Sequence, residues 1–155
     1  MAPCLFNMII KNIFPPLFMS LLFLPVLMAT SLCKTKYPAN YKKSILFFGQ
    51  GGGFTGAVTT YALLDNGRLF KKNSLTQPEF LYIGKLNKSD THQLFNNYTF
   101  LGLPSMHSGE PGNIYHFIEY VLKNNSHKLT WGGPSPVPEN LALFYSLLNH
   151  FIPKS

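Results

Sequence analysis

Eight residues, Gly49-Gln50-Gly51-Gly52-Gly53-Phe54-Thr55-Gly56, restrict this chain more than any other stretch. Five of the eight are glycine. A glycine run lets the backbone take positive φ angles and lets a second backbone come close, so it either bends sharply or packs tightly. The flanks decide what it joins. Ser44-Ile45-Leu46-Phe47-Phe48 is a short apolar run that reads as a buried strand. On the far side Val58, Thr60, Ala62 and Leu64 alternate with Thr59, Tyr61 and Leu63, and this β-branched and aromatic content favours a second strand over Ala57–Leu64. Asp65-Asn66-Gly67 follows as a hairpin signal of type I′, with Arg68–Lys72 as the returning strand.

Gly51, Gly53 and Gly56 also satisfy G-x-G-x-x-G, the spacing that cradles phosphate in nucleotide sites. The dinucleotide form needs a helix after the glycines and an acid about twenty residues further on. Here the glycines lead into strand-forming residues, and Lys71 and Lys72 stand where the acid belongs. The kinase form runs strand–loop–strand, as here, but its VAIK, HRD and DFG partners are missing, and no Gly-Lys-Ser/Thr of a P-loop is present. The stretch is therefore expected to be a backbone device, and nucleotide binding through Gly51–Gly56 is the lesser alternative. No cofactor is expected.

Further along, Phe80–Leu86 reads as a strand, and Ser89 as the cap of a short helix over Asp90–Asn97 that buries Leu94 and Phe95. Leu101–Gly112, rich in Gly, Pro and Ser, is a loop. Asn113–Leu122 is an extended run, aromatic on both faces, turning at Lys123–Ser126 and returning over His127–Trp131. Pro138 suits the first position of a helix whose stripe is Leu141, Phe144, Tyr145, Leu148 and Phe151. The order implies an α+β fold. Its mainly antiparallel sheet comes from two hairpins, with a short middle helix and a longer C-terminal helix packed on one face.

Candidate chemistry is sparse. His92, His107, His116, His127 and His150 are scattered without metal-ligand spacing, so no metal site is expected. Glu110 with Glu119, or Asp65 with Asp90, offers an acid–base pair only because any six acids would. Ser105 and Ser108 lack the nucleophile-elbow context. No catalytic residue is assigned. The formal charge of +7 is carried by scattered lysines and one arginine, Arg68. That pattern argues against a nucleic-acid reader, which favours arginine forks, and fits an anionic lipid or polysaccharide surface at least as well. Trp131, beside Gly132-Gly133-Pro134, is the best local candidate for an aromatic presented to a ligand.

Ile13–Leu32 carries no charge, is preceded by Lys11, and ends in Ala29-Thr30-Ser31. Pro15, Pro16 and Pro25 interrupt it, which suits a secretory signal better than a spanning helix. Met8 is an alternative start. Cys33 stands where a lipoprotein carries its acylated cysteine, although Leu32 replaces the usual small residue before it. With only Cys4 and Cys33, the remainder holds no disulfide. The expected organisation is a signal peptide or membrane anchor over residues 1–33, a polar tether over 34–43 and one α+β domain over 44–155. The domain is expected outside the cytoplasm, secreted, periplasmic or anchored to the membrane through its N-terminal segment.

Gly51-Gly52-Gly53-Phe54-Thr55-Gly56, then Pro111-Gly112-Asn113, then Trp131-Gly132, resembles a group of small uncharacterised bacterial exported or lipoprotein-like proteins over roughly Ser44 to Phe151. The resemblance implies no activity, cofactor or catalytic residue. The expected function is a non-enzymatic module that binds an extracytoplasmic protein or glycan partner, with Gly51, Gly53, Phe54, Thr55, Gly56 and Trp131 as its surface. A small hydrolase using a histidine and a carboxylate is the alternative.

Overall fold

The computed structural model describes residues 38–123 and 125–153. The leader and Cys33 lie outside them. The domain comprises β1 (Ile45–Gly52), β2 (Val58–Leu64), β3 (Arg68–Asn73), β4 (Gln77–Lys85), α1 (Lys88–Phe100), a 3-10 turn at Leu103–Ser105, β5 (Ile114–Leu122), β6 (Asn125–Trp131) and α2 (Glu139–His150). The strands form one sheet in the order β4-β3-β2-β1-β5-β6, antiparallel at every pairing. This is the expected α+β architecture.

β1 is central because its apolar residues fill both faces. Leu46 and Phe48 point to the side carrying the helices, where they meet Leu63, Leu69, Ile118, Leu129, Leu94, Phe144 and Leu148. Ile45 and Phe47 point the other way, against Ala62, Leu64 and Phe70. A period of two along a strand sends neighbours to opposite faces, so the unbroken apolar run Ile45–Phe48 requires partners on both. Burial of a side chain such as Phe144, with no exposed surface, contributes about 1.5–3 kcal/mol.

β1–β4 form a meander. At its β2–β3 turn the Gly67 N–H bonds the Leu64 carbonyl at 2.9 Å, and within Asp65–Gly67 only Gly67 has a positive φ (87°). The connection is thus a three-residue loop, a turn followed by a left-handed glycine, and not the two-residue type I′ form that Asn66-Gly67 signals. The reason lies in the next layer: the Gly67 carbonyl accepts from the Leu86 N–H at 2.9 Å, which ties the loop to the chain entering α1.

α1 is longer than the sequence indicated, 13 residues against 12 in α2. Its cap is Asn87, not Ser89. The Asn87 Oδ1 accepts from the Asp90 N–H at 2.8 Å and its Nδ2 donates to the Asp90 carboxylate at 2.8 Å, which satisfies the helix start from both directions. Pro138 is the residue flanking α2, one place before the expected first turn position.

The two sheet edges are treated differently. Beside β6, the Gly109 N–H donates to the Thr130 carbonyl and the Ser108 Oγ accepts from the Thr130 N–H, each at 2.8 Å. The loop thereby covers that edge. β4 carries Pro78 and pairs with β3 through register shifts, two devices that discourage further strand pairing. The end of the polar tether is docked: Tyr41 donates its hydroxyl to Asp65 and packs on the Ile45–Phe70 cluster.

Candidate functional site

The three glycine-bearing motifs meet at one end of β1, β5 and β6. The Gly53 N–H donates to the Asn113 carbonyl at 2.7 Å, and the Gly52 N–H to Ala57 at 3.2 Å. Gly52 has φ +98°, and a Cβ there would be driven into the Asn113 carbonyl oxygen. A Cβ on Gly112 would meet the Gly132 carbonyl in the same way, and the Gly133 N–H donates to Glu110 at 2.9 Å. Close backbone approach explains these glycines. The Gly52, Gly53 and Gly56 N–H groups are all bonded to backbone carbonyls, and a strand, β2, follows the loop. The dinucleotide arrangement, which needs a helix there, does not form.

The expected surface residues separate into three places. Gly53, Phe54, Thr55 and Gly56 form the tip of the β1–β2 loop, where Phe54 is fully exposed. Gly51 lies beneath Tyr115, whose hydroxyl is 2.6 Å from where a Gly51 Cβ would stand. Trp131 is not presented at all. It is 8% exposed, because on β6 it shares its face with the buried Leu129 and so turns toward α2. There its ring meets Tyr145 edge-on at 5.2 Å and lies 5.8 Å from His116. A tryptophan next to glycines and prolines signalled a loop, but its parity in the strand decided its face.

Two histidine–tyrosine pairs tie the helices to the sheet. Tyr145 donates to the Gly49 carbonyl at 3.1 Å, so His116 Nδ1, 3.2 Å away, supplies the proton of their mutual bond. His127 Nε2 is 3.1 Å from the Met106 carbonyl, which only accepts; its Nδ1 therefore accepts from the Tyr98 hydroxyl at 2.6 Å. Burial, then the neighbouring Tyr120 phenol, pushes the Tyr98 pKa up to about 12. Burial likewise raises Tyr145. These pairs satisfy polar groups within the packed layer, and neither includes a carboxylate. Among the described residues no three His, Cys, Asp or Glu side chains are grouped to hold a metal ion, and no helix is long and apolar enough to cross a membrane.

The open side of the sheet holds a feature that local motifs did not show. Both helices pack on the Leu46–Phe48 side, and no described helix lies on the opposite face. There Gly49 and Gly51 end the row of side chains begun by Ile45 and Phe47, and both are buried, Gly51 beneath Tyr115. A cleft of about 330 Å³ is lined by Phe47, Val58, Thr60, Tyr115, Phe117 and Glu119, with Lys72, Phe80 and Lys128 at its sides. Phe47 and Phe80 have ring centroids 6.1 Å apart. The Lys72 ammonium stands 4.8 Å from the Phe80 ring centre, and that of Lys128 5.1 Å from Phe117. The available signal in the sequence was the doubly aromatic alternation of β5. Tyr115, Phe117 and Glu119 face this cleft, while His116, Ile118 and Tyr120 face the helices.

Comparison with protein-family models gives no match for this chain. No curated protein matches it either.

Proposed function

We propose that this chain is a non-enzymatic binding module, exported and either tethered to the membrane or released, which takes a protein or glycan partner on the helix-free face of its sheet. The observation that supports this is the cleft beside β1 with its aromatic lining and flanking lysines. About 330 Å³ is at the lower end of the roughly 300–1,000 Å³ typical of ligand sites, and aromatic walls with a few placed polar groups are their usual composition. The exposed Phe54 tip is the second surface available to a partner. The buried Trp131 has no part in it.

A photo-crosslinking residue placed at Thr130, opposite Phe117 and beside the cleft, is expected to take adducts from native envelope material. The same residue at Ala142, exposed on α2, is expected to take none. Equal labelling at the two positions, or none at Thr130, refutes the assignment of the face. Protease accessibility of the chain in intact cells checks the extracytoplasmic location.

A further inference from the structure

The end of the sheet where β1 passes into β2 carries a surface separate from the cleft. Three large apolar side chains are exposed there, Phe54 fully, Leu75 by 62% and Ile114 by 58%. They come from different segments that hydrogen bonds hold together. Phe54 and Ile114 each follow one partner of the Gly53–Asn113 bond. The β3–β4 turn bearing Leu75 is tied to β2 twice: the Ser74 N–H donates to the Val58 carbonyl and the Ser74 Oγ accepts from the Val58 N–H, each at 2.9 Å. The Gly56 N–H bonds the Gly53 carbonyl at 3.1 Å, and this four-residue turn holds the Phe54 ring clear of the body.

Two properties set this end apart. It lacks charge: residues 49–64, 73–78, 111–118 and 129–138 contain no Asp, Glu, Lys or Arg, and Glu79 and Glu110 stand at its margin. The opposite end of the sheet carries Lys42, Lys43, Arg68, Lys85 and Lys123. Its turns also satisfy their own backbone. The N–H groups of Gly52, Gly53 and Gly56 donate to backbone carbonyls, that of Ala57 to the Thr55 Oγ1, and those of Leu75 and Thr76 to the Asn73 Oδ1. A protein partner takes about one hydrogen bond per 100–200 Å² of interface, for which donors already engaged are unsuited. A bilayer makes the opposite demand, because backbone enters it only when its polar groups are bonded within the protein.

We infer that this end of the sheet inserts into the interfacial region of a lipid bilayer, with Phe54 deepest and Leu75 and Ile114 beside it. An aromatic ring and two aliphatic side chains on uncharged turns suit the boundary between headgroups and acyl chains. The attraction is apolar, so it needs no anionic lipid and is not screened by salt.

Depth measurements on the full-length chain, in a Cys4→Ser/Cys33→Ser background with phosphatidylcholine vesicles, test this. An environment-sensitive fluorophore is attached through Thr55→Cys at the tip or through Lys85→Cys at the opposite end. Nitroxide lipids are expected to quench the label at position 55 and not the label at position 85, equally at low and high salt. The chain enters β1 at the Lys85 end, where the Asp65 N–H bonds the Ser44 carbonyl, so a hold through the N-terminal segment favours position 85 and cannot imitate this result. Phe54→Ser/Leu75→Ser/Ile114→Ser is expected to lower the inserted fraction about tenfold or more, the scale of at least one fully buried apolar side chain, with an unchanged circular dichroism spectrum. Phe54→Ser alone, at a fully exposed residue, is expected to lower it in part and keeps the test valid if the triple variant unfolds. Equal quenching at the two positions, none at position 55, quenching abolished by salt, or quenching unaffected by either variant overturns the inference. If position 55 is unquenched while a photo-crosslinker there takes protein adducts from envelope material, the tip is a protein contact and the bilayer falls. Each of these failures leaves the labelling expected at Thr130, and with it the cleft, untouched.

Discussion

Gly52→Ala should cost more than Gly53→Ala, although the two glycines are neighbours in one loop. Gly52 has φ +98° and Gly53 φ +72°, so each substitution places a side chain where L-residues are strained. That strain is about 1–3 kcal/mol for a residue held in a sparsely populated region. The surroundings differ. A Cβ on Gly53 meets nothing within 4 Å, whereas one on Gly52 is forced into the Asn113 carbonyl. Moving that carbonyl breaks the 2.7 Å bond it accepts from Gly53, a loss of about 0.5–1.5 kcal/mol. Alanine also restricts the unfolded chain, which returns about 0.4–1 kcal/mol to either variant. The net destabilisation is then about 1.5–2.5 kcal/mol for Gly52→Ala and about 1 kcal/mol for Gly53→Ala. For a domain of this size, Tm falls by about 3–5 °C per kcal/mol, giving losses of about 5–12 °C and about 3–5 °C. Thermal unfolding followed by circular dichroism reads both. Equal shifts, or a Gly52→Ala loss below about 4 °C, would refute the close-approach explanation of the motif.

Asn87→Ala removes the α1 cap and should lower stability by about 0.5–2 kcal/mol in urea unfolding, while Ser89→Ala should leave it nearly unchanged. The reverse order would return the cap to Ser89. Tyr98 has its pKa raised in the folded state to about 12, from an ordinary value of 10.0, so its contribution to stability is complete below pH 10 and is lost as pH rises through about 12. Unfolding measured across that window should fall less steeply in Tyr98→Phe than in the parent chain. An identical pH slope in the two proteins would show that Tyr98 does not carry the loss.

Local chemistry was legible in the residues themselves. The glycine bend, the strand on each side of it, the turn at Asp65–Gly67 and the apolar stripe of α2 all rest on interactions spanning a few positions, and each appears where the sequence indicated. The strand after the glycines was legible too, because the β-branched residues there favour one over a helix. The errors came where a second segment intervened. Leu86 recruits the Gly67 carbonyl and changes the turn, and Asn87 outcompetes Ser89 through its two contacts with Asp90. Only tertiary pairing set β5 beside β1, since that contact joins residues such as Gly51 and Tyr115 far apart in the chain. That pairing gathers the three glycine motifs into one junction. It also fixes which aromatic face of β5 the helices cover, and turns Trp131 inward. The candidate cleft exists for the same reason: Val58 and Thr60 of β2 and Tyr115 and Phe117 of β5 are brought together beside Phe47 only because both strands pair with β1.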